Sequence, residues 1–262
     1  MKPKKRDLTF QRELVQELTL QRSRLTERLQ LEKRLKDGLY YIGGLHNLFK
    51  RRVMEAGTPP GSLAHVPRPK AGYTKIKLID YDALRIEEKD VTDIKECFPY
   101  KEKSTLTWIR IEGLADAEAI SKLGEYYGLH ALVLEDILNP DQRPKQEDYD
   151  NHIFIVLKML HYNDKNNEIE VEQISLVLGP TFVISIQERE GSVFNDIIER
   201  LRGRKGLLRR RGSDYLAYRL IDSIVDRYFI VLERIGDDMV NLDGEVIRSP
   251  APLTIQIINK LK

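Results

Sequence analysis

The middle of the chain alternates between strand-like and helix-like patterns of apolar and polar residues. Residues 75–79 and 107–111 place apolar side chains at every second position, which is the period of a half-buried strand. Between residues 115 and 127 the apolar residues recur at helical spacing, and Gly128 is placed to end that helix. The pattern therefore predicts an α/β domain.

Further along the chain, three apolar runs predict additional strands. They span residues 153–159, 173–178 and 181–186 and are separated by turn-rich segments. Because tight turns join antiparallel neighbours, we expect a mixed sheet rather than a uniformly parallel one. Ser192 is then expected to cap a helix that begins at Val193, since its hydroxyl can accept an unpaired backbone N–H.

A long helix is predicted from Ser213 to about Asn241, with a wide apolar face that must pack against a substantial surface. The members of that face are Leu216, Leu220, Ile221, Ile224, Val225, Phe229, Leu232 and Ile235.

The first part of the chain has a different pattern. Residues 7–37 contain no Gly or Pro, and Gly38 follows them. Their leucines form a narrow apolar seam at spacings of four and seven residues. This predicts a helical N-terminal extension that ends near residue 58, before a Pro-Pro-Gly turn. We favour a helix that packs on its own chain or on a neighbour over an arm that binds a dedicated partner.

Composition restricts the function only weakly. The formal net charge is +2 with 32 % charged residues, so bulk charge names no partner. The single cysteine, Cys97, excludes an internal disulfide framework and suits a reducing compartment. No run of about 20 apolar residues predicts a membrane span, and no apolar N-terminal segment predicts a secretory signal.

The motif that carries most information lies at residues 129–145, and reads LHALVLEDILNPDQRPK. It closely resembles a conserved segment of the CorA family of magnesium channels. Residues 149–160, 172–178 and 213–229 resemble the strands and the long helix that follow this motif in the family. The resemblance covers roughly residues 59–250, and this part of the chain is similar to the N-terminal cytoplasmic domain of that family.

This resemblance implies a fold and a division into domains. The fold class is an α/β/α sandwich with a mixed central sheet, followed by long C-terminal helices. We assign residues 1–58 to the helical extension, residues 59–212 to the sandwich, and residues 213–262 to the long helix with the truncated start of the stalk-associated helices. The resemblance also implies a return helix that starts near Pro250, with residues 253–261 as its beginning. The Gly-Met-Asn pore signature of the family is absent from the chain.

The function implied is that of a regulatory domain rather than of a pore. In the full-length protein it would sense ions and support assembly of a homopentamer, facing the cytoplasm beneath the cell membrane. Its partners would be its own membrane and stalk segments, and its ion would be Mg²⁺, weakly bound by the isolated domain. Alternatives are the same domain of a zinc, cobalt or nickel transporter, or a soluble module that binds a partner through the N-terminal helix and a basic loop.

Three carboxylates are the candidate metal ligands. Magnesium takes oxygen ligands and often uses only one or two carboxylates. From spacing alone, the adjacent Glu135 and Asp136 are more often solvated surface. The resemblance implies that Asp136 pairs with a stalk carboxylate of the adjacent subunit, and that Glu135 and Asp222 belong to a second regulatory site. Asp226 follows Asp222 by one helical turn, where like charges repel.

Other chemistry is weakly supported. Residues 200–212 form a basic run without an aromatic residue to stack a base, so we favour a loop with internally paired charges, then an anionic membrane surface, and expect no nucleic acid. The five histidines lack zinc-ligand spacing, and His130 is interpreted as structural. No Walker loop, dinucleotide fingerprint or nucleophile elbow is present, which indicates that the chain is not an enzyme.

Overall fold

The computed structural model describes residues 73–163 and 168–248 of the chain. The predicted N-terminal helix and the predicted return helix at residues 253–261 lie outside the described residues. The strands are β1 Lys75–Tyr81, β2 Ile86–Val91, β3 Leu106–Glu112, β4 Lys145–Asp148, β5 Ile153–Asn163, β6 Glu168–Leu178 and β7 Phe182–Gln187. The α-helices are α1 Ala117–Tyr127, α2 Ala131–Leu138, α3 Asn195–Arg202 and α4 Ser213–Arg248, and 3₁₀ turns span Ile94–Glu102 and Leu208–Arg210.

The strands form one seven-stranded sheet in the order β2-β1-β3-β7-β6-β5-β4. Among the described strands, the central β3 and β7 pair in parallel and the other neighbouring pairs are antiparallel. The prediction of a mixed sheet is therefore confirmed. The chain between β3 and β7 forms α1, α2 and the strands β4 to β6. The parallel β3–β7 pair then joins the β2-β1-β3 half of the sheet to the β7-β6-β5-β4 half.

One face of the sheet holds the main apolar core. Successive residues of a strand point to opposite faces, so Leu78, Ile109 and Ile184 share one face and are almost completely buried. The 3₁₀ turn, α1 and α2 cover this face and contribute Ile120 and Val133 to the same core. Gly128 ends α1 in the left-handed conformation, with φ of 79°, as the sequence predicted.

The opposite face is covered by α3 and α4. Trp108 donates from Nε1 to Ser185 Oγ at 2.9 Å, and its ring meets that of Phe194 edge-on at 6.0 Å between centroids. Leu216 and Leu220 of α4 are fully buried, as is Leu176 on this side of β6. Helices on both faces of a mixed sheet make the α/β/α sandwich that the sequence predicted.

Helix α4 is anchored beside β5 and β6. Ser213 Oγ donates to Gly179 O at 2.6 Å in the β6–β7 turn, and Tyr228 Oη donates to Lys158 O in β5. Near the end of β5, the Arg234 guanidinium lies 5.5 Å from the centroid of the Tyr162 ring. The helix runs to Arg248, beyond the predicted end near residue 241. The compact unit that holds the sheet ends at residue 238, and residues 239–248 belong to a second unit.

The prediction that Ser192 caps a helix beginning at Val193 is wrong. Helix α3 begins at Asn195, its N-cap position is Phe194, and no side chain caps it. Ser192 instead accepts the Asn195 N–H through its backbone carbonyl at 3.0 Å. Val193 and Phe194 are both buried, so their packing against the sheet fixes where the helix can begin.

Candidate functional site

The short helix α2 presents the candidate ligands Glu135 and Asp136. His130 occupies its N-cap position and accepts the Leu132 N–H through Nδ1 at 3.2 Å, in agreement with a structural role for this histidine. Val133 and Ile137 of the same helix are buried in the core. This orientation leaves both carboxylates only partly buried at the edge of the sheet.

Asp136 is held by a lysine from the edge strand β4. Lys145 Nζ lies 2.5 Å from Asp136 Oδ2 and 2.7 Å from Glu147 Oε1, so one ammonium contacts two carboxylates. Tyr149 Oη donates to the other oxygen of Glu147 at 2.9 Å. The side chains of Asp136 and Lys145 are 14 % and 29 % exposed, which leaves the pair reachable from solvent mainly through the lysine.

Burial and ion pairing oppose each other at this cluster. Burial raises the pKa of the Asp136 carboxyl, and the hydrogen bond from Lys145 only partly offsets it. Burial lowers the pKa of Lys145, but hydrogen bonds to Asp136 and Glu147 outweigh this and the pKa is raised overall. The pKa of Glu147 is lowered, first by its hydrogen bond with Lys145. Two carboxylates thus stabilise the charged form of Lys145. Asp136, the more buried of the two, shares this single ammonium with Glu147.

Polar groups of the sheet hold the main chain beneath the cluster. Gln173 Nε2 donates to Asp136 O at 2.9 Å, and Lys158 Nζ donates to Gln173 Oε1 at 3.2 Å and to Pro140 O at 2.5 Å. Burial lowers the pKa of Lys158. These bonds fix the end of α2 against β5 and β6, so that the position of Asp136 is set by the core rather than by the surface.

Sequence reasoning missed Lys145 and Glu147. Lys145 is the last residue of the 129–145 motif, and Glu147 follows it at the period of a strand. The spacing of Lys145 and Glu147 places both side chains on one face of a strand. It predicts this only if residues 145–148 are recognised as a strand. That strand is polar and lies at the edge of the sheet, where alternation of apolar residues gives no warning.

The third candidate ligand, Asp222, lies elsewhere. It is on α4, on the other face of the sheet from α2, and Arg219 Nη1 contacts its Oδ2 at 2.6 Å. Burial raises the pKa of Asp222, the Arg219 charge opposes that rise, and the Asp226 charge adds to it. The structure does not bring Asp222 together with Asp136 and Glu135, and the described part of the chain contains no group of three or more His, Cys, Asp or Glu suited to a metal.

The chemistry of the Asp136 cluster fits a hard divalent cation. Asp136 and Glu147 each place one oxygen against the same positively charged nitrogen, so both carboxylates face one cationic position. Magnesium prefers oxygen ligands, keeps several waters and commonly uses only one or two carboxylates. Asp136 and Glu147 have the ligand type that such an ion uses, and Asp136 as a metal ligand remains a prediction.

A second polar site lies on the other side of the sheet, in a cleft of about 620 Å³. Its floor is the pair Arg110–Glu112, joined at 2.5 Å, with both side chains almost fully buried. Glu112 also accepts the Gly191 N–H at 3.0 Å, and Arg110 donates to the Gly191 carbonyl. At the rim, Lys75 pairs with Glu190 at 3.2 Å. These charged groups therefore pair with one another, and their contacts connect β1 and β3 to residues 190 and 191.

Arginines of the basic run are also paired within the chain. Arg202 forms a fork with both oxygens of Glu88, at 2.6 and 2.7 Å. Arg209 donates to the Leu201 carbonyl, and Arg204 donates to the Leu84 carbonyl. These contacts agree with the predicted pairing within the chain for Arg202, Arg204 and Arg209. The predicted loop is interrupted, because residues 200–202 end α3 and Leu208–Arg210 form a 3₁₀ turn.

Among residues 73–163 and 168–248, every helix is too short or too polar to cross a membrane.

Comparison with known proteins gives a consistent family. The family described as CorA-like Mg²⁺ transporter protein matches residues 103–262. The cobalt/magnesium transport protein CorA of Thermotoga maritima is 40 % identical over 213 residues, which is 81 % of this chain and 60 % of that protein. The chain thus spans less than two thirds of the length of this relative.

Solved structures agree at the level of the fold. The soluble domain of CorA from Methanocaldococcus jannaschii has a TM-score of 0.54 at 16 % identity, and the match covers 71 % of this chain and 69 % of that one. The ZntB cytoplasmic domain from Vibrio parahaemolyticus has a TM-score of 0.51 at 16 % identity, covering 71 % and 70 %. On the extent of the family match and the identity to its relative, the chain belongs to the CorA-like Mg²⁺ transporter family.

Proposed function

We propose that this chain is the cytoplasmic regulatory and assembly domain of a CorA-like magnesium channel whose membrane pore lies in a longer protein. The observation that carries the proposal is the family match over residues 103–262, which includes Glu135, Asp136 and Asp222. The Asp136 carboxylate lies beside a partly exposed lysine, and its main chain is fixed by Gln173, which supports its role as a ligand.

The proposed mechanism is a population shift between closed and open assemblies. Magnesium bound between subunits would neutralise carboxylates that face each other across the interface. Without that ion, the cluster of Asp136, Lys145 and Glu147 still holds two carboxylates for one ammonium. Its net negative charge and an acidic residue of the neighbouring stalk then repel each other, which favours the open arrangement. The site must be weak enough to empty when cytosolic magnesium falls, because an ion can shift the equilibrium only by its differential affinity for the two states.

Glu135 and Asp222 are proposed as ligands of a second site. Within one described chain they lie on opposite faces of the sheet. A shared ion would therefore bridge two subunits rather than two residues of one chain. This arrangement would make the second site depend on assembly, as the first one does.

The test is protease protection of the full-length channel in membranes over a magnesium titration. We expect Asp136→Asn to move the midpoint of protection to severalfold higher magnesium, because one ligand charge is lost. The control is Glu118→Gln, which removes the charge of an exposed glutamate paired with Lys122 on α1 and should leave the midpoint unchanged. If Asp136→Asn and the wild type were protected over the same range, Asp136 would not be the sensor, and Glu135 with Asp222 would become the better candidates.

The transported ion has an alternative. The Thermotoga relative is named for both cobalt and magnesium, which supports cobalt as a second cargo of the proposed channel. Zinc or nickel transport would use the same domain. The module that binds a partner through the basic loop is less well supported, because Arg202, Arg204 and Arg209 are already engaged within the chain.

A further inference from the structure

We infer that Lys145 is an internal counter-cation that occupies the Asp136 carboxylate when no metal is bound, and that it competes with Mg²⁺ for this carboxylate. It would thereby raise the magnesium concentration at which the proposed sensor fills. The inference rests on the proposed function in one respect, that Asp136 is a magnesium ligand.

The geometry places the ammonium where a cation would bind. Lys145 Nζ is 2.5 Å from Asp136 Oδ2 and 2.7 Å from Glu147 Oε1, so the ammonium occupies one oxygen of each carboxylate. A cation that binds these two oxygens must take the place of the ammonium. The lysine is therefore a direct competitor rather than a distant charge.

The backbone fixes the competitor close to its acceptors. Lys145 is paired with Val156 in the β4–β5 ladder, so only its side chain is free to move. Its Nζ lies 5.8 Å from the centroid of the Phe154 ring, which adds a weak attraction in the same position. Being tethered, the ammonium has a high effective concentration at Asp136. Its side chain is 29 % exposed, so it can swing into solvent when it is displaced.

Charge favours the metal ion, whereas dehydration favours the lysine. Magnesium carries twice the charge of an ammonium, but it gives up its hydration shell reluctantly. Lys145 already contacts both oxygens directly. Arg219 contacts Asp222 in a similar way at 2.6 Å. Asp136 and Asp222 are thus each paired with a basic side chain of the same chain.

The test measures Mn²⁺ binding to the full-length channel in detergent, where the proposed intersubunit site can form, from the electron paramagnetic resonance signal of the free ion with Mg²⁺ as competitor. Lys145→Met removes the ammonium and keeps the apolar stem. We expect it to bind the metal about three- to tenfold more tightly, the change that corresponds to one partly exposed ion pair. The double variant Asp136→Asn/Lys145→Met should lose this gain and return to about the wild-type affinity.

Controls separate local competition from other effects. Lys122→Met removes a lysine paired with Glu118 on α1 at 2.6 Å, away from the cluster, and should leave affinity unchanged. Lys145→Gln is a second replacement in case the methionine variant does not fold, which circular dichroism will show. Lys145→Arg keeps the charge and should retain weak binding.

The outcomes distinguish this inference from the proposed function. Unchanged affinity in both Lys145→Met and Lys145→Gln would overturn the inference. A gain that persists in the double variant would also overturn it, because the lysine would then act through general charge rather than through Asp136. If Lys145 has no effect while Asp136→Asn still shifts protection of the full-length channel, the proposed function stands alone. If neither substitution has an effect, both fail.

Discussion

The ion pair Arg110–Glu112 is an example of what one residue contributes to this fold. Both side chains are almost fully buried, and Glu112 also accepts the Gly191 N–H. The pair lies on the face of β3 covered by α3, where Asn195 Oδ1 accepts from Arg110 at 3.4 Å. Hydrogen bonds to both partners offset the cost of removing these charges from water. Loss of either partner would leave the other as an uncompensated buried charge.

Removing Glu112 should therefore leave a buried positive charge without its main partner. We expect Glu112→Ala to lower the free energy of unfolding by about 3 kcal/mol or more, as measured by urea denaturation. Glu118→Ala removes a glutamate from an exposed pair with Lys122 on α1 and should have little measurable effect. Equal stability of the two variants would show that solvent reaches Arg110 and that the pair is not buried in solution.

At the scale of elements, the attachment of α4 to the sheet depends on its first residue. Ser213 is buried, and its hydroxyl lies 2.6 Å from Gly179 O and 3.2 Å from Pro180 O. This contact ties the start of the helix to the β6–β7 turn, while the apolar face predicted for the helix packs further along. A polar contact thus sets the starting point, and burial of apolar side chains sets the direction.

We expect Ser213→Ala to destabilise the protein by about 1 kcal/mol, because a buried carbonyl loses its donor. The matched control is Ser223→Ala on the same helix, whose hydroxyl only bonds the Arg219 carbonyl one turn earlier at 3.0 Å. That substitution should be neutral, since alanine is the better helix former. Thermal unfolding of both variants checks the prediction, and equal melting temperatures would contradict it.

At the scale of the whole molecule, assembly should depend on the segments that the proposed channel adds. We expect the 262-residue chain to be monomeric or only weakly self-associating at micromolar concentration, because domain contacts without the stalk are small and such interfaces rarely persist. Sedimentation velocity is the measurement. A stable pentamer at low micromolar concentration would show that the interface does not need the stalk, and that the proposed intersubunit site can form in this chain.

The sequence by itself determined the α/β fold class, the end of α1 at Gly128 and the long α4 helix. These features follow from local periodicity and backbone conformation, which the chain carries residue by residue. The same locality explains the strands that were missed. The edge strands β2 and β4 are largely polar, so their pairing with β1 and β5 comes from backbone hydrogen bonds rather than from an apolar pattern.

The candidate site was only half readable in this way. The motif at residues 129–145 singled out Glu135 and Asp136, because adjacent carboxylates and a family resemblance are visible in one segment. That Lys145 contacts Asp136 depends on β4 lying beside β5 with α2 packed over the sheet, and that Asp222 lies on the other face depends on the path of α4. Only the tertiary structure could decide these placements, because contacts between separate elements are fixed by packing and pairing across the whole sheet.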